Sequence, residues 1–255
     1  MIQISQEYVQ NIPLLHVVET EKAQDRLPTV FFLHGFTSAK EHNLHYAYLM
    51  AQKGFRVLMP EAYGHGERID GVDPSKNSHQ FWRMVIQTIE ELKVLREAFT
   101  VKGLIDENRI GLAGTSMGAI ASLGALSQYD WIKTAVSLMG NASYEELAKG
   151  QIEYLKQNNI ELPLDDNQLE EQFQILRKYD LSSQVDKLNG RPILFWHGKR
   201  DPVVPFEPTY RFYQSIQSEY KGKEEYLQFI IDEKADHKVS REGLLKTAEW
   251  FDKHL

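Results

Sequence analysis

The chain of 255 residues contains no cysteine. This absence excludes disulfide bonds, a catalytic thiolate and zinc sites built on cysteine. It does not indicate a cellular compartment, because a protein without cysteine folds equally well in oxidising and reducing surroundings. The first seven residues, MIQISQE, lack the basic segment and apolar run of a secretory signal, so the sequence predicts a cytoplasmic protein.

Long apolar runs and an excess of positive charge are also missing. No run approaches the roughly 18 apolar residues needed to cross a bilayer, so no membrane association is predicted. The 29 basic and 36 acidic residues give a net charge of −7. This charge argues against a nucleic-acid partner, since phosphate binding requires clustered lysine and arginine. Gly-x-Gly-x-x-Gly and Walker-type loops do not occur, and we expect no cofactor.

Histidine is the residue type that raises the question of a metal site. His42 and His45, together with His65 and His79, are the candidates. His42 and His45 stand three residues apart near a helix start, without a nearby pair of carboxylates at ligand spacing. Histidines facing solvent explain this pattern better, so no metal site is expected.

Short apolar runs alternate with helical patterns along the chain, which predicts an α/β fold. This alternation is typical of a mostly parallel central sheet with helices on both faces. Nearly continuous apolar runs indicate strands buried on both faces. Six such runs occur, at 30–33, 56–59, 109–113, 135–139, 193–196 and 226–231. Residues 2–9 and 13–19 are predicted to form an edge hairpin, and the whole of 1–255 a single domain.

The segments between these runs carry helix signals. Ser38–Glu41 has the pattern of a capping box and predicts a helix that ends at Gly54. Apolar residues at helical spacing predict a long helix over 78–99 and another at the C-terminus. Residues 141–187 contain two helical patterns in succession, with ten acidic and five basic residues. We interpret this block as a small helical lid inserted over the sheet.

The pentapeptide Gly114-Thr115-Ser116-Met117-Gly118 carries the strongest chemical signal. It follows the predicted strand 109–113 and opens a helix of small residues, as in a Gly-x-Ser-x-Gly nucleophile elbow. Small neighbours let the strand and helix pack closely, and a strained turn projects the hydroxyl outward. The helix start directs free N–H groups at developing negative charge. This pattern predicts Ser116 as a nucleophile.

A serine hydroxyl needs a base, and the base needs an orienting acid. His237 lies between the last predicted strand and the last helix, at the same sheet edge as the elbow. The acid is expected between serine and histidine in sequence, and Asp201, after the strand 193–196, fits this order. Asp232 and Asp236 are alternatives, but both lie too near the histidine to come from a separate strand's loop.

An oxyanion hole requires two backbone N–H donors. The residue after the nucleophile, Met117, is predicted to supply one donor. The loop after the strand 30–33 is predicted to supply the other, and Phe36 is the candidate. In the same loop, Gly35 permits the backbone turn and His34 is expected to brace the loop through hydrogen bonds.

Together these motifs resemble the α/β hydrolases of the dienelactone-hydrolase and prolyl-oligopeptidase branch. The resemblance runs through the full chain and rests on five segments: His34-Gly35-Phe36, Pro60–Arg68, Gly114-x-Ser116-x-Gly118, Asp201–Pro205 and Asp236-His237. Dienelactone hydrolases carry a cysteine nucleophile, whereas position 116 is serine, which favours ordinary esters. The chain also lacks room for a propeller domain, which argues against a dedicated peptidase.

The resemblance implies a small bacterial serine carboxylesterase that cleaves small-molecule esters through an acyl-enzyme. A thioesterase, a peptidase or a perhydrolase would use the same three residues. A ligand-binding protein without catalysis is an alternative of a different class. The intact set of serine, histidine, aspartate and glycine-rich loops argues against it. The sequence leaves the natural substrate and the oligomeric state open.

Overall fold

The computed structural model describes residues 1–69, 80–160 and 164–255. Eight strands form one sheet: β1 (Ile2–Val9), β2 (Ile12–Glu19), β3 (Leu27–Leu33), β4 (Arg56–Pro60), β5 (Ile105–Thr115), β6 (Thr134–Leu138), β7 (Ile193–Gly198) and β8 (Leu227–Asp232). In these described ranges, seven α-helices accompany them: α1 (Leu44–Gln52), α2 (Phe81–Val101), α3 (Met117–Gln128), α4 (Tyr144–Gln157), α5 (Asp166–Tyr179), α6 (Phe206–Ile216) and α7 (Arg241–His254). The predicted fold class is confirmed.

The strand order β1-β2-β4-β3-β5-β6-β7-β8 determines where a site can form. Strands β3 to β8 run parallel, while the hairpin β1–β2 joins the edge of β4 in antiparallel orientation. From β3 the chain first adds β4 on one side and then crosses over to add β5 on the other. Such a reversal opens a crevice at the carboxyl edge between the two crossovers. The loops that leave β3 and β5 therefore meet there.

Two hydrophobic layers cover the sheet, one on each face. Helices α1 and α7 pack on one face, where Met50 and Phe251 are buried. Helices α2 and α3 pack on the other, with Leu92 and Ile120 in the core. In α2 the buried residues recur at spacings of three and four, as an amphipathic helix requires. All five residues of β4 and of β6 are buried, and most of them are apolar, as expected of strands covered on both faces.

The predicted capping box at Ser38–Glu41 is wrong. A 3₁₀ turn, Lys40–Asn43, comes first and α1 begins only at Leu44. Ser38 Oγ lies 3.3 Å from His42 Nδ1 instead of capping a backbone amide, and the Lys40 side chain is buried among carboxylates. Gly54, with φ +91°, follows the end of α1 as predicted.

Other boundaries moved for local reasons. Helix α2 begins at Phe81, and the predicted start at 78–79 lies outside the described residues. Met139 leaves the strand predicted over 135–139, because its φ of +59° is incompatible with extended backbone. No helix in the described ranges is both long and apolar enough to traverse a bilayer.

The block 141–187 contains α4 and α5, followed by two short 3₁₀ turns. Helix α5 opens with a true capping box, in which Asp165 and Gln168 each accept the other's backbone N–H at 2.9 Å. Leu147 of α4 and Leu176 of α5 are buried in the core layer beside α2 and α3. The interpretation of this block as a lid stays a prediction.

Candidate active site

Ser116 occupies the turn between β5 and α3 with φ +53° and ψ −117°. A residue other than glycine rarely adopts a positive φ, and such strain persists only where the surroundings enforce it. Here the Ser116 N–H donates to the Leu138 carbonyl of β6 at 2.8 Å, which ties the turn to the neighbouring strand. The serine is partly exposed, so its hydroxyl is open to a substrate.

The two glycines of the elbow are required by close backbone contacts. A Cβ atom on Gly114 would overlap the backbone of Gly118, and one on Gly118 would overlap the Leu33 carbonyl at the end of β3. Neither obstacle is a flexible side chain, so neither can yield. The Gly-x-Ser-x-Gly spacing therefore follows from the distance at which α3 starts beside β3 and β5.

The structure brings the three predicted side chains together at the carboxyl edge of the sheet. His237, in the loop after β8, has its Nε2 atom 2.8 Å from Ser116 Oγ. Its Nδ1 atom lies 2.6 Å from Asp201 Oδ2. With the proton on Nδ1 donated to Asp201, the Nε2 lone pair is free to accept the serine proton. This is the arrangement that activates a serine hydroxyl.

The two alternative acids occupy other positions. Asp232 Oδ1 accepts the backbone N–H groups of Lys234 and Ala235, both at 3.1 Å, in a local turn. Asp236 is exposed to solvent. It is Asp201 that accepts the hydrogen bond from His237 Nδ1, at the position in the chain where the sequence order places the acid.

Asp201 is surrounded by hydrogen-bond donors. Its Oδ1 atom accepts the N–H groups of Val203 at 2.9 Å and Val204 at 3.0 Å. Its Oδ2 atom faces His237 and also lies 3.5 Å from His197 Nε2. Burial raises the pKa of Asp201, but the hydrogen bonds from both histidines and both amides outweigh it and hold the pKa well below its usual range. The carboxylate is therefore charged at neutral pH.

His197, near the end of β7, is a residue whose role was missed from the sequence. It is fully buried, and its Nε2–H donates to the Val204 carbonyl at 2.9 Å. This bond closes the loop that presents Asp201. A Cβ on the next residue, Gly198, would overlap the Asp236 carbonyl, so the loop carrying His237 packs directly on β7. A histidine at the end of a buried apolar strand was the available signal.

The two predicted oxyanion donors lie on backbone next to the serine. Met117 is the first residue of α3, and an amide in that position has no acceptor within the helix. The loop carrying Phe36 passes close by, since a Cβ on Gly35 would lie 3.4 Å from Ser116 Cβ. In the part of the chain that the structure describes, the Phe36 amide donates to no backbone carbonyl. The assignment of these two amides as oxyanion donors stays a prediction.

The histidines considered as metal ligands do not form a cluster within the described ranges. His42 and His45 are exposed, His65 is buried, and His79 lies outside the described residues.

A carboxylate cluster is present instead, in which oxygen atoms of Glu41, Glu61 and Glu67 lie within 4.8 Å of one another. Lys40 Nζ forms ion pairs with all three, at 2.8, 2.9 and 2.6 Å. The ammonium group already occupies the place that a cation would take.

Residues 41–255 match the prolyl oligopeptidase family. The chain belongs to this family. It is therefore a serine hydrolase with the α/β-hydrolase fold, as the motif order predicts. Among proteins of similar sequence, a Bacillus subtilis protein named "Putative esterase YitV" is 51% identical over 255 residues, with full coverage of both chains. "Esterase YjfP" of Escherichia coli is 30% identical, again with full coverage of both.

The fold of this serine hydrolase also occurs in solved structures. TT1662 from Thermus thermophilus superposes with a TM-score of 0.73 at 23% identity, and the match covers 98% of each chain. At that identity the likeness concerns the fold alone.

Proposed function

We propose that the chain is a carboxylesterase that cleaves small carboxylic esters through Ser116, His237 and Asp201. One observation carries this proposal: the His237 imidazole bridges the serine hydroxyl and the carboxylate at 2.8 and 2.6 Å. The family supports a serine hydrolase, and the names of both relatives support esters as the substrate class.

In the first half-reaction, Ser116 Oγ attacks the ester carbonyl carbon while His237 Nε2 accepts the hydroxyl proton. Asp201 keeps the ring oriented through the Nδ1–H bond, and its negative charge stabilises the imidazolium. The amides of Phe36 and Met117 donate to the oxyanion of the tetrahedral intermediate. The intermediate then collapses, and the alcohol leaves with the proton from His237, which yields the acyl-enzyme.

In the second half-reaction, water repeats the sequence. His237 accepts a proton from water as its oxygen attacks the acyl carbon. The same two amides hold the second oxyanion, and the proton returns to Ser116 Oγ as the acid is released. The imidazole thus ends each cycle in its starting protonation state.

The surroundings of the loop that carries Phe36 support short acyl chains. The Phe36 ring packs edge-on against Phe81 at 5.8 Å between centroids, and Phe81 against Trp82 at 5.3 Å. Trp82 in turn contacts Tyr144 of α4 at 4.9 Å. Large rigid side chains therefore fill the space from the oxyanion loop to α4, and we expect p-nitrophenyl acetate to be turned over faster than long-chain esters.

The test is turnover of p-nitrophenyl acetate by Ser116→Ala. Loss of a triad nucleophile lowers kcat by about 10⁶-fold, so activity should fall to background. Ser127→Ala is the matched control, because Ser127 lies near the far end of the same helix and its hydroxyl bonds only groups away from the triad, namely the Gly124 and Tyr179 carbonyls and the Gln128 amide. The control should keep the activity of the unchanged protein.

Two further outcomes bear on the proposal. A fluorophosphonate probe should label Ser116, and a protein that only binds ligands would not react. In a panel of matched ester, thioester and peptide substrates, the ester should have the highest kcat/KM. Activity retained by Ser116→Ala, or a preference for the peptide, would overturn the proposal.

A further inference from the structure

The segment Pro60–Arg68 at the end of β4, here called the bracing loop, has no part in the chemistry proposed above. It packs against residues 34–40, here called the oxyanion loop, which carries Phe36. The Thr37 N–H of the oxyanion loop donates to His65 Nε2 at 3.1 Å. Three residues further on, the Lys40 N–H donates to Glu61 Oε1 at 3.2 Å. The two loops are thus joined at the residue that follows Phe36.

His65 has a defined protonation state for this contact. Its Nδ1 atom lies 3.0 Å from the Tyr63 carbonyl, which only accepts hydrogen bonds, so Nδ1 carries the proton. Its Nε2 atom then offers a lone pair to the Thr37 N–H. The ring is fully buried, and burial lowers the pKa of His65, which favours this neutral form.

The contact holds a backbone conformation that the oxyanion loop would not otherwise prefer. Thr37 has φ +59°, in the left-handed region that β-branched residues rarely enter. The His65 ring also packs edge-on against the Phe36 ring, with 5.6 Å between centroids. His65 therefore contacts both the side chain of Phe36 and the amide that follows it.

The bracing loop is itself rigidly supported. The buried Glu61 carboxylate pairs with the buried Lys40 ammonium at 2.9 Å and lies 3.0 Å from His34 Nε2. Arg68 donates to the Glu61 carbonyl at 2.9 Å. A Cβ on Gly66, which has φ +47°, would overlap the Glu61 carboxylate, so the loop closes tightly around this side chain. The backbone that carries His65 is consequently held in one conformation.

We propose that His65 is a positioning residue that holds the Phe36 amide in the oxyanion hole. The proposal rests on the proposed function, because it requires Phe36 to be an oxyanion donor. Loss of one such donor lowers kcat by about 10²- to 10³-fold. The donor acts on charge that develops in the transition state, so KM changes little.

Two variants of similar volume separate positioning from simple packing. In His65→Gln, the side-chain oxygen reaches the place of Nε2 and accepts the Thr37 N–H, whereas His65→Leu has no acceptor. For p-nitrophenyl acetate we expect kcat of the Leu variant to fall by about 10²-fold and that of the Gln variant by less than about tenfold. KM should stay within about threefold in both. Thermal unfolding should show similar stabilities for the two variants. A purely structural role would instead require the less active variant to be the less stable one.

If His65→Leu does not fold, His65→Asn replaces it. Its shorter side chain reaches the position of Nδ1 and the Tyr63 carbonyl but not the Thr37 amide, so the same loss of kcat is expected. Equal kcat values for the Gln variant and the variant without an acceptor, whether high or low, would overturn the proposal. Ser116→Ala distinguishes the two levels: if it is inactive while His65→Leu keeps full kcat, the positioning role fails and the esterase proposal stands.

Discussion

Replacing Asp201 by asparagine reverses the tautomer of His237 while changing almost no volume. The Oδ1 atom is committed to the N–H groups of Val203 and Val204, so the asparagine oxygen must stay there. Its NH₂ group then occupies the place of Oδ2, 2.6 Å from His237 Nδ1. Because NH₂ donates, Nδ1 must accept, and the ring proton moves to Nε2.

The magnitude follows from that proton. With Nε2 protonated, His237 no longer accepts the proton of Ser116, from which it is 2.8 Å away. The same tautomer reversal in a serine protease lowers kcat by about 10⁴-fold. This corresponds to about 5 kcal/mol of activation free energy at about 1.4 kcal/mol per tenfold change. KM should change little, because ester binding does not involve the carboxylate.

The assay is steady-state turnover of p-nitrophenyl acetate at pH 7, with Asp232→Asn as the matched control. Asp232 is one of the two alternative acids in the sequence, and its Oδ1 atom accepts the Lys234 and Ala235 amides in its own turn, so its variant should keep normal kcat. A loss of less than tenfold in Asp201→Asn, or a comparable loss in Asp232→Asn, would refute the assigned orienting role.

Two predictions concern stability. Gly118→Ala places a Cβ against the Leu33 carbonyl and should destabilise the fold by about 3 kcal/mol in urea unfolding. Gly150→Ala, on the open side of α4, should stabilise the fold by about 0.5–1 kcal/mol. If both variants changed the stability in the same direction, the close contact at Gly118 would be contradicted. Burial raises the pKa of Glu61, but hydrogen bonds from His34 and Lys40 outweigh it and lower the pKa to about 2. A carboxylate with a lowered pKa stabilises the folded state at pH values above its ordinary pKa. Glu61→Gln should therefore lower the free energy of unfolding by about 3 kcal/mol at pH 7. The difference in stability between the unchanged protein and the variant should shrink as the pH falls from about 4.5 towards about 2. A difference that does not depend on pH would contradict the pairing of the buried Glu61 carboxylate.

The parts of the molecule that were predictable from sequence have local or periodic signals. The strands β3 to β7 read as apolar runs because both their faces are buried. The elbow at Ser116 is recognisable because close contacts require its two glycines. These contacts are made within a few residues of the serine and with one neighbouring strand. Asp201 and His237 follow from the order of loops along a parallel sheet.

The parts that were not predictable depend on contacts between distant segments. Ser38–Glu41 has the spacing of a capping box, yet Lys40 is drawn inward by Glu61 and Glu67, which lie more than 20 residues away. That ion pairing displaces the helix start to Leu44. The bonds of His65 to Thr37 and of His197 to Val204 likewise leave no periodic trace in the sequence. The role of each histidine can be identified only when the position of its hydrogen-bond partner is known.

Helix α3 determines how well the nucleophile keeps its position when parts of the protein begin to unfold. Eleven of its twelve residues, from Met117 to Ser127, are buried, and the helix contacts strands on either side of the elbow. A segment buried to this degree opens only when the domain as a whole unfolds. His237 sits instead on a loop beside the outermost strand, β8. Gentle heating would thus detach the base before the serine, and catalysis would fade while most of the backbone order persisted.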